Sequence, residues 1–372
     1  MQKIMKMKMK TNSIVLCGLV LSLVLGTNFV LAETEADNPG LDNIINIIED
    51  GSGNSGKIPP GLLTAPGIQK KLSCHSSSTP QFLLEWGLDG TGDGQFYGGP
   101  YGVDTDSQGN VYVLDGKRIQ KFNSQGVFIA KSVWGTGGSG LAIDSQDNIY
   151  VVDHSIFNTV KKFDSNLNLL AIIYQENNDL GYGFKDIAID SNDNLFIAAR
   201  WKVVKMDTDG NIIKEWGSRC GGGGGQSSEV IGSDSQGNIC LAGEFADAQA
   251  IGVDLFDNVY VLEYWLHHVQ IFDNDGNYIK KWGTSGSGDG YFLSPLGGAF
   301  DSDNYIYIAD YQNNRIQKLT NDGAFVLKWG SSYGNPGYGD GEFYGPRDVV
   351  VGLDGFIYVA DHANYRIQKF SR

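Results

Sequence analysis

Cysteine, proline and positive charge are all scarce in this chain of 372 residues. Only four Cys and nine Pro are present. Cys17 lies in an apolar leader, and the other three, Cys74, Cys220 and Cys240, allow one disulfide at most. No CxxC pair or Cys/His spacing occurs, so no zinc site is expected from cysteine. Lys and Arg number 28 against 43 Asp and Glu, a formal charge of −15. A surface that acidic repels phosphate backbones and anionic lipid, which argues against a nucleic-acid partner. No Gly-x-Ser-x-Gly elbow is present, and no Cys/His pairing is suggested by position. No segment sustains an apolar period of 3.6, and beyond residue 32 no apolar run is long enough to span a bilayer. Glycine, by contrast, is abundant at 51 residues.

The first 32 residues differ in kind from the rest. Lys3, Lys6, Lys8 and Lys10 precede an apolar run from Ile14 to Ala32 that closes on "NFVLA". A basic start, a hydrophobic stretch and the small-residue site at Val30 and Ala32 form a secretory signal, with cleavage expected after Ala32. Retention of the run as an N-terminal anchor is the alternative. Leu16 before Cys17 is too bulky for a lipoprotein processing site. Residues 33–80, with "GSGNSGKIPPGLLTAPG" and "SCHSSSTP", cannot build a core and are expected to be a flexible tether. The expected location is secreted or cell-surface.

From residue 100 onward one pattern returns six times: a short apolar strand, a turn of Asp, Ser, Gly and Asn, then a second strand, as in "VDTDSQGNVYVLD" (103–115) and "AFDSDNYIYIAD" (299–310). Each copy runs into a third strand such as "RIQKF" (118–122) or "RIQKL" (315–319), and most into a fourth ending in Trp-Gly, such as "FVLKWG". Four short strands per repeat, separated by turn residues, predict a blade of a β-propeller. The sixth copy has no fourth strand after it, but "FLLEWG" (82–87) matches that strand and precedes the first copy. The fold predicted for 81–372 is therefore all-β: a six-bladed propeller of four-stranded antiparallel blades, its ring closed by strand 82–87. The third and fourth copies stand farther apart than the others, and between them "SDSQGNICLAGE" (233–244) copies a turn and second strand without room for a whole blade. We expect an irregular insertion at about 218–248, in which Cys220 and Cys240 are the plausible disulfide. The phrase "GDGxF", written at 92–96, 288–292 and 339–343, falls between one blade's outer strand and the next blade's inner strand. Its glycines suit a tight crossing and its Phe an apolar plug.

"NNRIQKL" after "YIADYQ", "GDGEFYGPRDVVV" and the "KWG" endings resemble NHL repeats, over residues 81–372. NHL propellers include RNA-binding domains of tripartite-motif proteins, sensor domains of bacterial kinases, peptide-amidating lyases and exported proteins of unknown role. The resemblance implies the propeller fold and a ligand face on the side of the inter-blade crossings, but no particular function.

A residue present in most blades serves the blade, so function is sought in the departures. Asp115, Asp153, Asp310 and Asp361 end second strands and are expected to bond backbone amides of the following turn. The "DTDGN" and "DNDGN" turns lack the closing Glu of a calcium loop and are taken as hairpins. Trp86, Trp134, Trp216, Trp282 and Trp329 end outer strands, but Trp201 and Trp265 fall in loops joining second and third strands. Those loops also carry Arg200, Tyr264, His267, His268, His154, Tyr311, His362 and Tyr365. Aromatic faces with polar tips suit a glycan or a peptide, so the expected function is a non-catalytic binding module for an extracellular protein or glycan, without cofactor and monomeric. The enzyme alternative is a metal-dependent lyase or hydrolase. "EYWLHHVQIF" (263–272) resembles the amidating-lyase segment with a zinc-binding His, which points to His267, although Glu263 stands where the lyase has Asp.

Overall fold

The computed structural model describes residues 79–133, 135, 138–153, 158–175, 183–331 and 334–372. The leader, the tether, Cys74, Trp134 and His154 lie outside the described residues. All described strands belong to the unit Ser77–Arg372.

Six four-stranded antiparallel sheets make the blades. Blade 1 holds strands 100–105, 111–115, 118–122 and 128–131, and blade 2 holds 140–143, 149–153, 159–163 and 169–175. Blade 3 holds 184–189, 195–199, 202–206 and 212–216, and blade 4 holds 248–253, 259–263, 268–272 and 278–282. Blade 5 holds 295–300, 305–310, 315–320 and 325–330. Blade 6 takes 346–351, 357–361 and 366–370 from the end of the chain and 82–86 from its beginning. The pairing runs from Phe82 opposite Phe370 to Trp86 opposite Ile367. Inner strands neighbour one another around the ring, and the inner strand of blade 6 lies beside that of blade 1.

Burial follows from position in the blade. Second strands such as Val111–Asp115 and Ile357–Asp361 are buried at every residue, because neighbouring blades cover both faces. The outer strands of blades 1, 5 and 6 largely alternate, as in Phe82–Trp86, because successive side chains point to opposite faces of the blade, whereas Leu169–Gln175 and Ile212–Trp216 are exposed over most of their length. Six apolar clusters fill the six seams between blades. Phe96, Phe292 and Phe343 of the repeated crossing phrase are completely buried, each in a seam cluster.

The hairpins between first and second strands share one chemistry. Asp106 Oδ1 accepts from the N–H groups of Gln108 and Asn110, while its Oδ2 accepts from the Asn110 amide and the Tyr112 hydroxyl. Asp144, Asp190 and Asp254 repeat the bonds to the turn. Asp207 and Asp273, in the hairpins between third and fourth strands, are likewise occupied by their own turn amides. These loops are hairpin turns whose carboxylates are already committed.

The crossing phrase and the "RIQ" of third strands meet. Arg315 Nε donates to Asp310 Oδ2 at 2.7 Å, and its terminal nitrogens donate to the carbonyls of Ser287, Gly288 and Tyr291. Gln317 donates to Tyr291 O and accepts from Gly290 N–H. Arg118 with Gln120 grips Gly92, Gly94 and Gln95 in the same way, and Arg366 with Gln368 grips residues 338–342. Three repeated phrases are thus held by three repeated clamps, each centred on a buried Asp. The expectation for the strand-terminal Asp needs correction here. Asp115 does accept from the following Lys117 and Arg118 N–H groups, but Asp310 and Asp361 accept from the crossing amides of Leu293 and Tyr344 and from Arg and Gln side chains.

The insertion forms two small sheets, 218–219 with 244–245 in parallel and 230–233 with 239–241 antiparallel. Cys220 and Cys240 form a disulfide, and they pack with Ile231 and Ala242 in a separate small core. Gly243, Glu244 and Phe245 serve as a fourth crossing: Phe245 is buried in the seam of blades 3 and 4, and Gln270 bonds Gly243 N–H and Glu244 O. Gln226 and Glu229 bond the outer strand of blade 4 at Tyr278, which sets that edge of the insertion at the rim.

Candidate functional site

Inner strands begin on the crossing side of the ring, where the second-to-third-strand loops also open. Their second places converge on a cavity of about 250 Å³ at the mouth of the central channel. In blade order the residues are Tyr101, Ser139, Lys185, Gln249, Leu296 and Arg347, with Ser139 standing just before its strand and the other five at the second place, and all six line the cavity. No two blades share a residue here, whereas the flanking inner-strand places repeat residues from blade to blade.

Charge is arranged in two layers. Lys185 and Arg347 stand at the mouth, half-buried, and burial pulls both below their ordinary pKa values. The charge of Asp247 opposes that shift on Lys185, and the like charges of Arg200 and Arg347 add to it. Neither Lys185 nor Arg347 has an ion-pair partner among the described residues. The Arg347 guanidinium lies over the Tyr101 ring at 4.5 Å, and that ring meets His362 edge-on at 4.8 Å. One place farther along their strands, Asp186 and Asp348 also line the cavity, and Asp104 lies deeper on the blade 1 strand. Each spans a seam: Val103 N–H donates to Asp348 (2.8 Å), Ile143 N–H to Asp104 (2.9 Å) and Ile251 N–H to Asp186 (3.1 Å). Burial pushes the carboxyl of Asp104 up to about 7 and that of Asp348 up to about 6. Asp186 is raised well above its ordinary value by burial and then by the charge of Asp348.

The loop residues divide between this site and other duties. Tyr264 and Tyr311 are close enough to influence the Arg347 charge, and Gln312 donates to the Tyr264 hydroxyl at 3.4 Å. His362 Nδ1 lies 3.1 Å from Pro100 O; a carbonyl only accepts, so this nitrogen carries the proton and Nε2 is left as an acceptor. Burial, with Arg347 nearby, pulls its pKa down to about 4. Trp265 is 52% exposed and meets Tyr264 edge-on at 5.0 Å, so it presents a ring to solvent. Trp201 differs: the guanidiniums of Arg200 and Arg219 lie over its ring at 4.9 and 5.3 Å. It couples the insertion to blade 3 instead of offering an open stacking surface. Arg200 also approaches Asp247 at 3.9 Å.

His267 and His268 are both tied into the frame. His267 Nδ1 accepts from Ser294 N–H at 2.9 Å, which places the ring proton on Nε2. His268 is the first residue of a third strand and is 2% exposed, so it does not belong to the loop face where the sequence pattern set it. It stands where blades 1, 5 and 6 have the clamp arginine. The acid of this clamp, Glu263, accepts from Ala246 N–H, Asp247 N–H and Gln270, and burial pushes its carboxyl up to about 8. Among the described residues no three His, Cys, Asp or Glu side chains converge as a metal site.

The NHL repeat model matches residues 343–370, from the Phe that ends the crossing phrase through the strands 346–351, 357–361 and 366–370. That stretch of the sixth blade is similar to an NHL repeat. No curated protein matches the chain in sequence. Among solved structures, this propeller is similar to a Bacteroides thetaiotaomicron protein of unknown function, with TM-score 0.60 and 16% identity over 79% of this chain and 76% of that one. An auxiliary nutrient binding protein of the same organism aligns with TM-score 0.57 and 13% identity over 80% of this chain and 74% of that one. A streptogramin B lyase aligns with TM-score 0.53 and 13% identity over 78% of this chain and 98% of that one. At such identities the likeness is one of fold. A binder and a lyase on similar frames leave the function to the site.

Proposed function

We propose that the chain is an exported, non-catalytic binding module that holds an extracellular ligand, a glycan or a segment of protein, over the channel mouth. One observation carries this: six blades that repeat elsewhere bring six different side chains into one cavity. A frame kept regular while its central ring varies is suited to selective recognition. Tyr101, Tyr264, Tyr311 and Trp265 supply ring faces and edges, and Ser139, Gln249 and the channel carboxylates supply polar partners. The binding role of one structural neighbour agrees with this, and the apolar leader with export.

A zinc-dependent lyase working through His267 is the alternative. Binding a metal at Nε2 would demand removal of the proton that the Ser294 bond places there. The test is metal analysis of the full purified chain together with a screen against glycan and extracellular-protein arrays. Under the binding reading, a ligand is retained by the metal-free protein and is lost in Trp265→Ala. One tightly held zinc per chain that disappears in His267→Ala would overturn that reading.

A further inference from the structure

The channel mouth places two cations, Lys185 and Arg347, beside the carboxyls of Asp186 and Asp348, in a chain of formal charge −15. Every other largely buried arginine among the described residues is fully engaged: Arg118, Arg315 and Arg366 each bond an Asp and backbone carbonyls. Arg347 and Lys185 are different. They are half-buried, have their pKa values lowered by burial, and form no ion pair among the described residues, although Lys185 feels the charge of Asp247 and Arg347 that of Asp348. Removing a cation from water without a partner is unfavourable, and an anionic ligand group would offset that cost.

The rest of the cavity says which anion. Leu296 is the one large aliphatic side chain on its wall, so little is offered to an apolar side chain. Gln249 and Ser139 donate and accept, while Asp186 and Asp348 offer oxygens to hydroxyl donors. Tyr101 and Arg347 present flat surfaces, and Tyr264, Tyr311 and Trp265 stand in the loops of neighbouring blades. A ring with many hydroxyls and one carboxylate matches this set, and about 250 Å³ fits a single small ring better than a drug-sized molecule. The raised pKa values of Asp186 and Asp348 reduce the repulsion that two full carboxylate charges would exert on a bound anion.

We propose that the mouth binds an acidic saccharide, with a uronate carboxylate seated on Arg347 and Lys185 and ring hydroxyls donated to Asp186 and Asp348. This rests on the binding-module reading and names its ligand class. The probes are trisaccharides of galacturonate, glucuronate and mannuronate, their carboxyl-reduced neutral counterparts, and a peptide with a free C-terminal carboxylate. Each is titrated calorimetrically into the full chain at low and at physiological salt.

At least one uronate trimer should bind, about tenfold or more tighter than its neutral counterpart, and weaken as salt rises. Arg347→Met and Lys185→Gln should each remove that preference at unchanged melting temperature, and Arg347→Lys should restore part of it. Equal binding of acidic and neutral sugars, lost in Trp265→Ala, would refute the acidic ligand and leave the binding module standing. Preference for the peptide would refute the saccharide. Failure of every sugar, peptide and arrayed protein to bind would remove the underlying reading as well.

Discussion

Replacing Arg315 by Met tests the clamp that joins the crossing phrase to the third strand. The substitution keeps a long apolar stem and removes the guanidinium. Asp310 has no exposed surface, and Arg315 has a side-chain exposure of 8%. The variant leaves a buried carboxylate with only Leu293 N–H, Asn313 and Gln317 as donors, and it strips donors from the carbonyls of Ser287, Gly288 and Tyr291. Breaking a buried pair from one side costs about 3–5 kcal/mol, a large part of the roughly 5–15 kcal/mol that holds a domain folded. At roughly 2–4 °C per kcal/mol, the melting temperature should fall by about 10 °C. Urea unfolding followed by tryptophan fluorescence and by far-ultraviolet circular dichroism gives the free energy and checks that one transition is seen. Adding Asp310→Asn should return about 1–3 kcal/mol, because the uncompensated charge is gone. A loss below about 1 kcal/mol for Arg315→Met, or strict additivity with Asp310→Asn, would show that the clamp is geometry without coupling.

Blade 4 supplies the contrasting case: its clamp acid, Glu263, is raised from 4.5 to about 8 with no arginine beside it. A raised folded-state pKa contributes stability that is full below pH 4.5 and is lost as pH rises through 8. Glu263→Gln should therefore lose less stability relative to wild type at pH 9 than at pH 5, and an unchanged difference in melting temperature across that range would sink the assignment. Trp265→Ala should leave the melting temperature within about 1 °C, as befits an exposed ring, whereas Trp201→Ala should also speed amide exchange in the insertion by releasing Arg219. Reducing the Cys220–Cys240 bond, whose ends stand 20 residues apart, should weaken the insertion by about 3 kcal/mol. Hydrogen exchange should localise that change to 218–245, and loss of blade protection would contradict a separate small core. Gly323 has φ +86°, and a Cβ there would stand 2.4 Å from the Trp282 ring, so Gly323→Ala should cost about 2 kcal/mol in urea unfolding.

The blades were legible because local chemistry repeats. An Asp whose side chain closes its own hairpin marks most turns, β-branched and aromatic residues mark the strands, and the Trp-Gly ending at 86–87 identifies the strand that pairs with 366–370. The same local code explains why 233–244 resembled a further repeat: Asp234 makes the usual bonds to Gln236 and Asn238 in a hairpin that has no blade around it. The channel mouth carries no such phrase. It is assembled from single residues on six strands far apart in sequence, and its signal is variation down one aligned place, Tyr101, Ser139, Lys185, Gln249, Leu296 and Arg347. The loop aromatics and histidines are conspicuous in sequence because they break the repeat, whereas the inner-strand places show their variation only once the six strands are aligned. The cover over Trp201 was not legible for a related reason, since Arg219 comes from an insertion that obeys no repeat. His268 looked like a loop residue until its pairing with Glu263 fixed where the third strand begins.

The mixed origin of blade 6 shapes how the molecule is assembled in time. Residue 81 meets residue 371 across a sequence separation of 290, so this sheet is made of the earliest and latest parts of the propeller to leave the ribosome. Five blades can form from neighbouring segments, but the ring stays open until the final strand emerges and captures the first. That long loop closure is entropically slow and favours a late, rate-limiting latch. A circular permutant that begins at Pro346 and joins residue 372 to residue 79 by a short linker would turn blade 6 into one continuous segment. It should reach the same native sheet order by a faster route, with the new chain ends emerging at a crossing.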